Sequence, residues 1–292
     1  MTVATGGNMR VERAQNHWDE ALESYLNALE IYMEAGDRKG VCSTNRAMGM
    51  IYGTKGDHGS AIRCFETSLL LAKTMGDREA EAKAEANLAI VYDLEGRTEE
   101  SETANKNCLA YFVEAGDLAN AVRTSNNLGV LNMSRERFDL AAEYFEKTIS
   151  SSRALRNREA LSTALVNAGY CYARVGISDL CLRYTDEAAS ILKEQNNLNM
   201  IALAYRNYGY LEFRNGNHNN AFEWFERSVR AAKTSGVKDT LAACCYEFGM
   251  ALIRSSIDLT LARKLMKKAA AVYAEIGNIE RARTVDARLA AL

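Results

Sequence analysis

The chain has no proline and no run of 18 apolar residues in its 292 positions, and it carries only three histidines. Without proline nothing interrupts a helix from within, and without a long apolar run no helical span is set to cross a bilayer, so membrane insertion is not expected. Cysteine occurs seven times, at Cys42, Cys64, Cys108, Cys171, Cys181, Cys244 and Cys245, yet never in a CxxC spacing. A scattered, odd set of this kind reads as reduced core filler in a cytosolic protein. The first eight residues also lack the apolar stretch of a secretory signal. The expected location is therefore the cytoplasm.

A strong charge of one sign is missing too, since 36 basic against 38 acidic side chains leave a net charge of −2. The balance hides an asymmetry. Residues 1 to 146 carry 15 basic and 24 acidic side chains, and residues 147 to 292 carry 21 and 14, so the halves stand at −9 and +7. The basic half has no interleaved aromatic platform on which bases could stack, and nucleic acid is not an expected partner. With 48% apolar and 25% charged residues the chain has the composition of a folded protein rather than a disordered one.

What is present is a repeat. Gly36-Asp37 returns as Gly76-Asp77 and Gly116-Asp117, then in weaker form as Arg156-Asn157, Asn196-Asn197, Gly236-Val237 and Gly277-Asn278, an even step lengthened by one position only at the last. A second turn falls midway, at Gly56-Asp57, Gly96-Arg97, Glu136-Arg137, Gly176-Ile177 and Gly216-Asn217. Each unit is thus a pair of helices of similar length, the first of each pair starting near positions 38, 78, 118, 158, 198 and 238. Within these first helices a small residue recurs at Gly49, Ala89, Gly129, Gly169, Gly209 and Gly249. Further on comes another, at Ala61, Ser101, Ala141, Cys181 and Ala221, and one helical turn beyond that a ring, at Phe65, Phe145 and Phe225. Small against small lets two helices cross closely, and the ring fills the gap one turn along. Asn105 and Thr185 hold the ring positions of their units, where looser packing is expected.

These residues resemble the tetratricopeptide repeat: an apolar residue and glycine (Met48-Gly49, Leu128-Gly129, Phe248-Gly249), a tyrosine three further on (Tyr52, Tyr92, Tyr172), then the alanine and phenylalanine just named. The longer helices, the absent proline and the Asn-Leu-Gly and Gly-Asp signatures are most similar to the 40-residue version of the Pins/LGN family. The resemblance implies an all-α fold, a right-handed α-solenoid of antiparallel helix pairs forming one domain over residues 1–292. It would comprise an incomplete first unit at 8–36, units at 37–76, 77–116, 117–156, 157–196, 197–236 and 237–277, and a terminal helix at 278–292. In the first helix, Trp18, Ala21, Leu22, Tyr25 and Leu29 are the expected core. Neither end reads as a polar cap, and solenoids normally need one. Apolar ends around Trp18 and Leu22 and around Val285 and Leu289, with opposite charge in the two halves, predict head-to-tail self-association or a covering partner.

Catalytic chemistry finds little material. His58 and His218 take equivalent turn positions as solvated helix-start residues, and His17 has no neighbour at ligand spacing. Neither enzyme activity, a metal nor a cofactor is expected.

Two polar ladders remain. Asn87, Asn127, Asn167 and Asn207 lie one repeat apart, each two positions before the packing glycine or alanine. An amide column offers donors and acceptors to the backbone of an extended chain, or else ties successive repeats together. Arg174, Arg214 and Arg254 follow the glycine of their helices by five positions. Their place suits the negative end of the helix dipole. With Arg206 and Arg123 they would also grip carboxylates by forked hydrogen bonds. The resemblance implies that first helices line a concave peptide-binding face and that extended, partly acidic segments are the guests. The expected function is a protein-interaction scaffold for an acidic peptide; the alternative is a structural subunit of a large cytoskeletal or ciliary assembly, held by end and edge contacts.

Overall fold

The structure, a computed structural model, describes residues 4 to 290, with side chains from His17 onward. Among the described residues every regular element is an α-helix, and there are fourteen. The chain divides into two compact units, Met1–Leu131 and Asn132–Leu292. The first holds α1 (Ala4–Glu34), α2 (Arg38–Lys55), α3 (His58–Met75), α4 (Arg78–Leu94), α5 (Thr98–Glu114) and most of α6 (Leu118–Ser134). The second holds α7 (Phe138–Ala154), α8 (Arg158–Val175), α9 (Ser178–Glu194), α10 (Leu198–Arg214), α11 (His218–Ser235), α12 (Lys238–Ser255), α13 (Leu259–Glu275) and α14 (Ile279–Ala290). Each unit is an array of antiparallel helix pairs joined by short turns. No helix among the described residues is long and apolar enough to cross a membrane.

The Gly-Asp pair explains why helices stop and restart at so regular an interval. Gly36 lies in the left-handed region at φ 67°, which lets the Asp37 N–H reach back to the Tyr32 carbonyl at 2.9 Å and close α1. The Asp37 carboxylate then accepts the Gly40 N–H at 3.0 Å and opens α2. Asp77, Asn157 and Asn197 open α4, α8 and α10 in the same way. Each such cap stabilises its helix by about 1 kcal/mol. Where the signature is weak the geometry persists, because Glu136, Arg156 and Asn196 take the left-handed conformation without being glycine.

The crossing within each pair is tighter than small against small. A Cβ added at Gly49 would lie 2.6 Å from Phe65, and one at Gly209 would lie 2.9 Å from Phe225, so the glycine leaves room for the ring itself. In α8 the partner of Gly169 is Thr185, and in α12 the partner of Gly249 is Met266. The register shift at Met266 has a visible source. Helix α13 opens at Leu259, one position later than the even spacing of the preceding helix starts, after a turn in which Ser256 is left-handed and Asp258 caps α13 through the Leu261 N–H. Asn105, expected to loosen its pair, is buried and donates to the Ser101 carbonyl of its own helix at 3.0 Å.

Three sequence expectations need correction. Tyr25 is exposed, although it lies on the same side of α1 as the buried Leu22 three positions before it. Val285 is only 2% exposed, packed with Ala282 into the core of the second unit, and contributes no apolar end. His218 opens α11 as expected but is half-buried rather than fully solvated: its ring lies 4.9 Å from that of Phe213 and 6.3 Å from that of Phe222, and its Nδ1 is buried without a hydrogen-bond partner.

Candidate functional site

In the second unit the first helices α8, α10 and α12 lie side by side. Residues four apart on one helix share a face, so Tyr170 and Arg174 rise together from α8, and Arg206 and Tyr210 from α10. Glu247 joins them from α12. Its carboxylate accepts the Tyr170 hydroxyl at 3.1 Å and the Tyr210 hydroxyl in a shorter bond. The two tyrosine rings meet edge to face at 5.7 Å. Burial, reinforced by the negative charge of Glu247, holds both hydroxyls well above the usual phenol range, so they act as neutral donors.

The arginines are set into this floor. Arg174 donates from Nη1 to the Tyr170 hydroxyl at 2.6 Å and lies 4.3 Å over the ring of Phe138 on α7. Arg206 lies 4.0 Å over the ring of Tyr170, is only 8% exposed, and has a buried Nε without a hydrogen-bond acceptor. Asn207, the next residue, is wholly buried and donates from Nδ2 to the Val166 carbonyl at 2.8 Å, tying α10 to α8. Arg214 is exposed and donates from Nη1 to the Arg174 carbonyl at 3.2 Å, near the C-terminal end of α8, beside Gly176. Arg254 is exposed further along α12. Asn167 is half-buried in α8.

The remaining ladder members belong to the first unit. Asn87 and Asn127 are half-buried in α4 and α6, and Arg123 is exposed, donating to the Asn120 amide oxygen at 2.7 Å. Thus Arg174, Arg206 and Tyr170 gather on one face, while Arg214 and Asn207 join neighbouring helices through backbone carbonyls. Sequence reasoning missed Glu247. It stands one full repeat after Asn207, as the next rung of the asparagine column. The spacing was therefore a sufficient signal, had the residue type not been required to match.

One model of the tetratricopeptide repeat matches residues 10–73 and 40–112, and a second model of the same repeat matches residues 188–235. Human G-protein-signaling modulator 1 is 31% identical over 163 residues, covering 48% of this chain and 24% of that protein. Tonsoku-like protein of Drosophila melanogaster is 24% identical over 159 residues, covering 48% of this chain and 11% of that protein. The chain spans at most about a quarter of the length of the curated relatives it matches. Among solved structures, the apo form of RapI superposes with a TM-score of 0.64 at 18% identity, over 84% of this chain and 94% of that one. YrrB, described as a TPR protein with an unusual peptide-binding site, gives 0.54 at 16% identity, over 72% and 93%. These structural likenesses establish the fold.

Proposed function

Because the chain belongs to the tetratricopeptide-repeat family, we propose that it is a protein-interaction scaffold that holds an extended acidic segment of another protein against its first helices. The observation that carries this reading is the arginine and tyrosine floor of α8, α10 and α12, which lies in the half of the sequence with a net charge of +7. Exposed Arg214, which reaches the Arg174 carbonyl, and exposed Arg254 of α12 add donors shaped for carboxylates. The peptide-binding site that YrrB is named for supports the same use of the fold. The test is affinity selection from a peptide library with the full chain, followed by titration of Arg254→Ala and Arg214→Ala. Each variant should weaken an acidic ligand about tenfold, the size of one charge-assisted hydrogen bond. Selected peptides without acidic residues, or unchanged affinity in both variants, would refute the reading.

A second reading rests on α1, where Leu26 and Met33, seven positions apart and so on one face of the helix, are exposed. Such an apolar face suits a subunit held in an assembly, or head-to-tail contact between copies. Sedimentation of the isolated chain across salt and protein concentration separates these. Self-association weakened by salt supports contact between copies, and a monomer under all conditions leaves the face to a different protein.

A further inference from the structure

Helix α1 holds the place of a second helix in the array. Its Ala21, Tyr25, Ala28 and Ile31 run along one stripe at helical spacing and stand one repeat before Ala61, Phe65, Ser68 and Leu71 of α3. It packs against α2 as α3 packs against α4. The difference lies on the other side. In α3 the stripe is covered by α2, the first helix of the same pair, which brings Gly49 over the Phe65 ring and leaves Ala61 and Ser68 wholly buried. The rings at the same position of α7 and α11, Phe145 and Phe225, are fully buried as well. In α1 nothing among the described residues takes that role, and Tyr25 is 37% and Ile31 64% exposed. A helix bare on the face that its repeat pairs everywhere else leaves apolar surface in water.

The charge around the stripe is of one sign. From His17 to Glu34, α1 carries five carboxylates, Asp19, Glu20, Glu23, Glu30 and Glu34, and neither lysine nor arginine. Asp19 pairs with Lys55 of α2. Glu20 and Glu34, about four turns apart, are exposed on the flank away from α2.

We propose that this stripe docks a basic amphipathic helix of another protein, which completes the pair as a first helix does, with a glycine or alanine over Tyr25 and lysine or arginine beside Glu20 and Glu34. The repeat sets the shape of the guest, because a larger side chain at the crossing strikes the ring. The carboxylates set its charge, and they disfavour α1 of a second copy, whose described side chains bring like charge. This rests on the assembly reading of α1 and names the element that the assembly supplies.

Two helices of the chain serve as probes, since both have the register of a first helix and they differ in charge. A peptide of the α2 sequence, residues 38–55, carries Arg38, Lys39, Arg46 and Lys55 with no acidic residue. One of the α4 sequence, residues 78–94, carries Arg78 and Lys83 against Glu79, Glu81, Glu85 and Asp93. Each is held helical by a hydrocarbon staple, labelled with fluorescein and titrated in reductant with the full chain, with anisotropy as the readout. Saturable binding of the α2 peptide is expected, about tenfold weaker for the α4 peptide and for an α2 peptide with Gly49→Leu. Tyr25→Asp and Ile31→Asp in the chain should each weaken binding about tenfold and leave the melting temperature unchanged, because both side chains are exposed. No saturable binding, equal affinity of the two peptides, tolerance of the leucine, affinity indifferent to both chain variants, or a lowered melting temperature in both overturns the proposal. So does self-association of the chain that both variants abolish, which would assign the stripe to a second copy. If the proposal falls while sedimentation still shows association in both variants, the assembly reading stands on Leu26 and Met33 alone.

Discussion

Two glycines in α2, one helical turn apart, should respond to the same substitution with opposite sign. Replacing either by alanine removes the flexibility that glycine brings to a helix interior, a gain of about 1 kcal/mol. At Gly53 the new Cβ would rest 3.9 Å from the Ala61 methyl, an ordinary contact, so Gly53→Ala should keep the gain. At Gly49 it would lie 2.6 Å and 2.7 Å from two carbons of the Phe65 ring, which is buried and has nowhere to swing. Overpacking of a filled core costs about 1 to 3 kcal/mol. The helix term is common to both variants and cancels in their difference, so Gly49→Ala should be less stable than Gly53→Ala by about 1 to 3 kcal/mol. Urea midpoints followed by circular dichroism measure this. Adding Phe65→Leu to both backgrounds should shrink the gap, since the two sites share one contact. Equal midpoints for Gly49→Ala and Gly53→Ala would show that the ring does not sit over the glycine, and the packing argument for every pair would fall with it.

Two further outcomes follow from burial. Glu85 is buried in α4, and burial raises its pKa above the ordinary 4.5 despite the Asn107 amide it accepts from. The folded chain then holds this proton more tightly than the unfolded one, so the contribution of Glu85 to stability is full below about pH 4.5 and is lost as pH rises through the raised value. Glu85→Gln, which cannot ionise, should therefore melt higher than the wild type at pH 7 and alike at pH 4; no difference at pH 7 would refute this. Burial also pushes the thiols of Cys108, Cys181 and Cys245 up to about 11 and that of Cys171 up to about 12, which suppresses the reactive thiolate. A disulfide reagent at pH 8 should modify at most the half-buried Cys64 in the native chain and all seven cysteines in denaturant; rapid native reaction of Cys171 or Cys245 would contradict the buried assignment.

Helix boundaries were legible because they are local chemistry. A glycine that turns left-handed followed by an aspartate that caps is a device contained in one dipeptide, and a repeat writes it many times. The Gly49 and Phe65 pairing was legible for the same reason, although the ring proved to occupy the space the glycine leaves. The site was legible only as columns. Spacing placed Arg174, Arg206 and Asn207 near one another. It did not reveal that Arg206 would be buried on a tyrosine while Arg214 reached a backbone carbonyl, since that depends on how far each side chain extends from its helix. Val285 misled for a related reason: an apolar residue near a chain end reads as exposed until the preceding helix is seen to cover it.

The hydroxyl bond from Tyr170 to Glu247 joins α8 to α12, passing over the helix pair between them. Repeat arrays are ordinarily coupled only from neighbour to neighbour, so they can fray one pair at a time like a zipper. A contact that skips a pair adds a longer-range term and penalises every state in which the pair starting at α12 has melted while the pair starting at α8 remains. The second unit thereby acquires cooperativity that the repeat period alone would not give it, and partly open states lose population to a more nearly all-or-none transition between folded and unfolded.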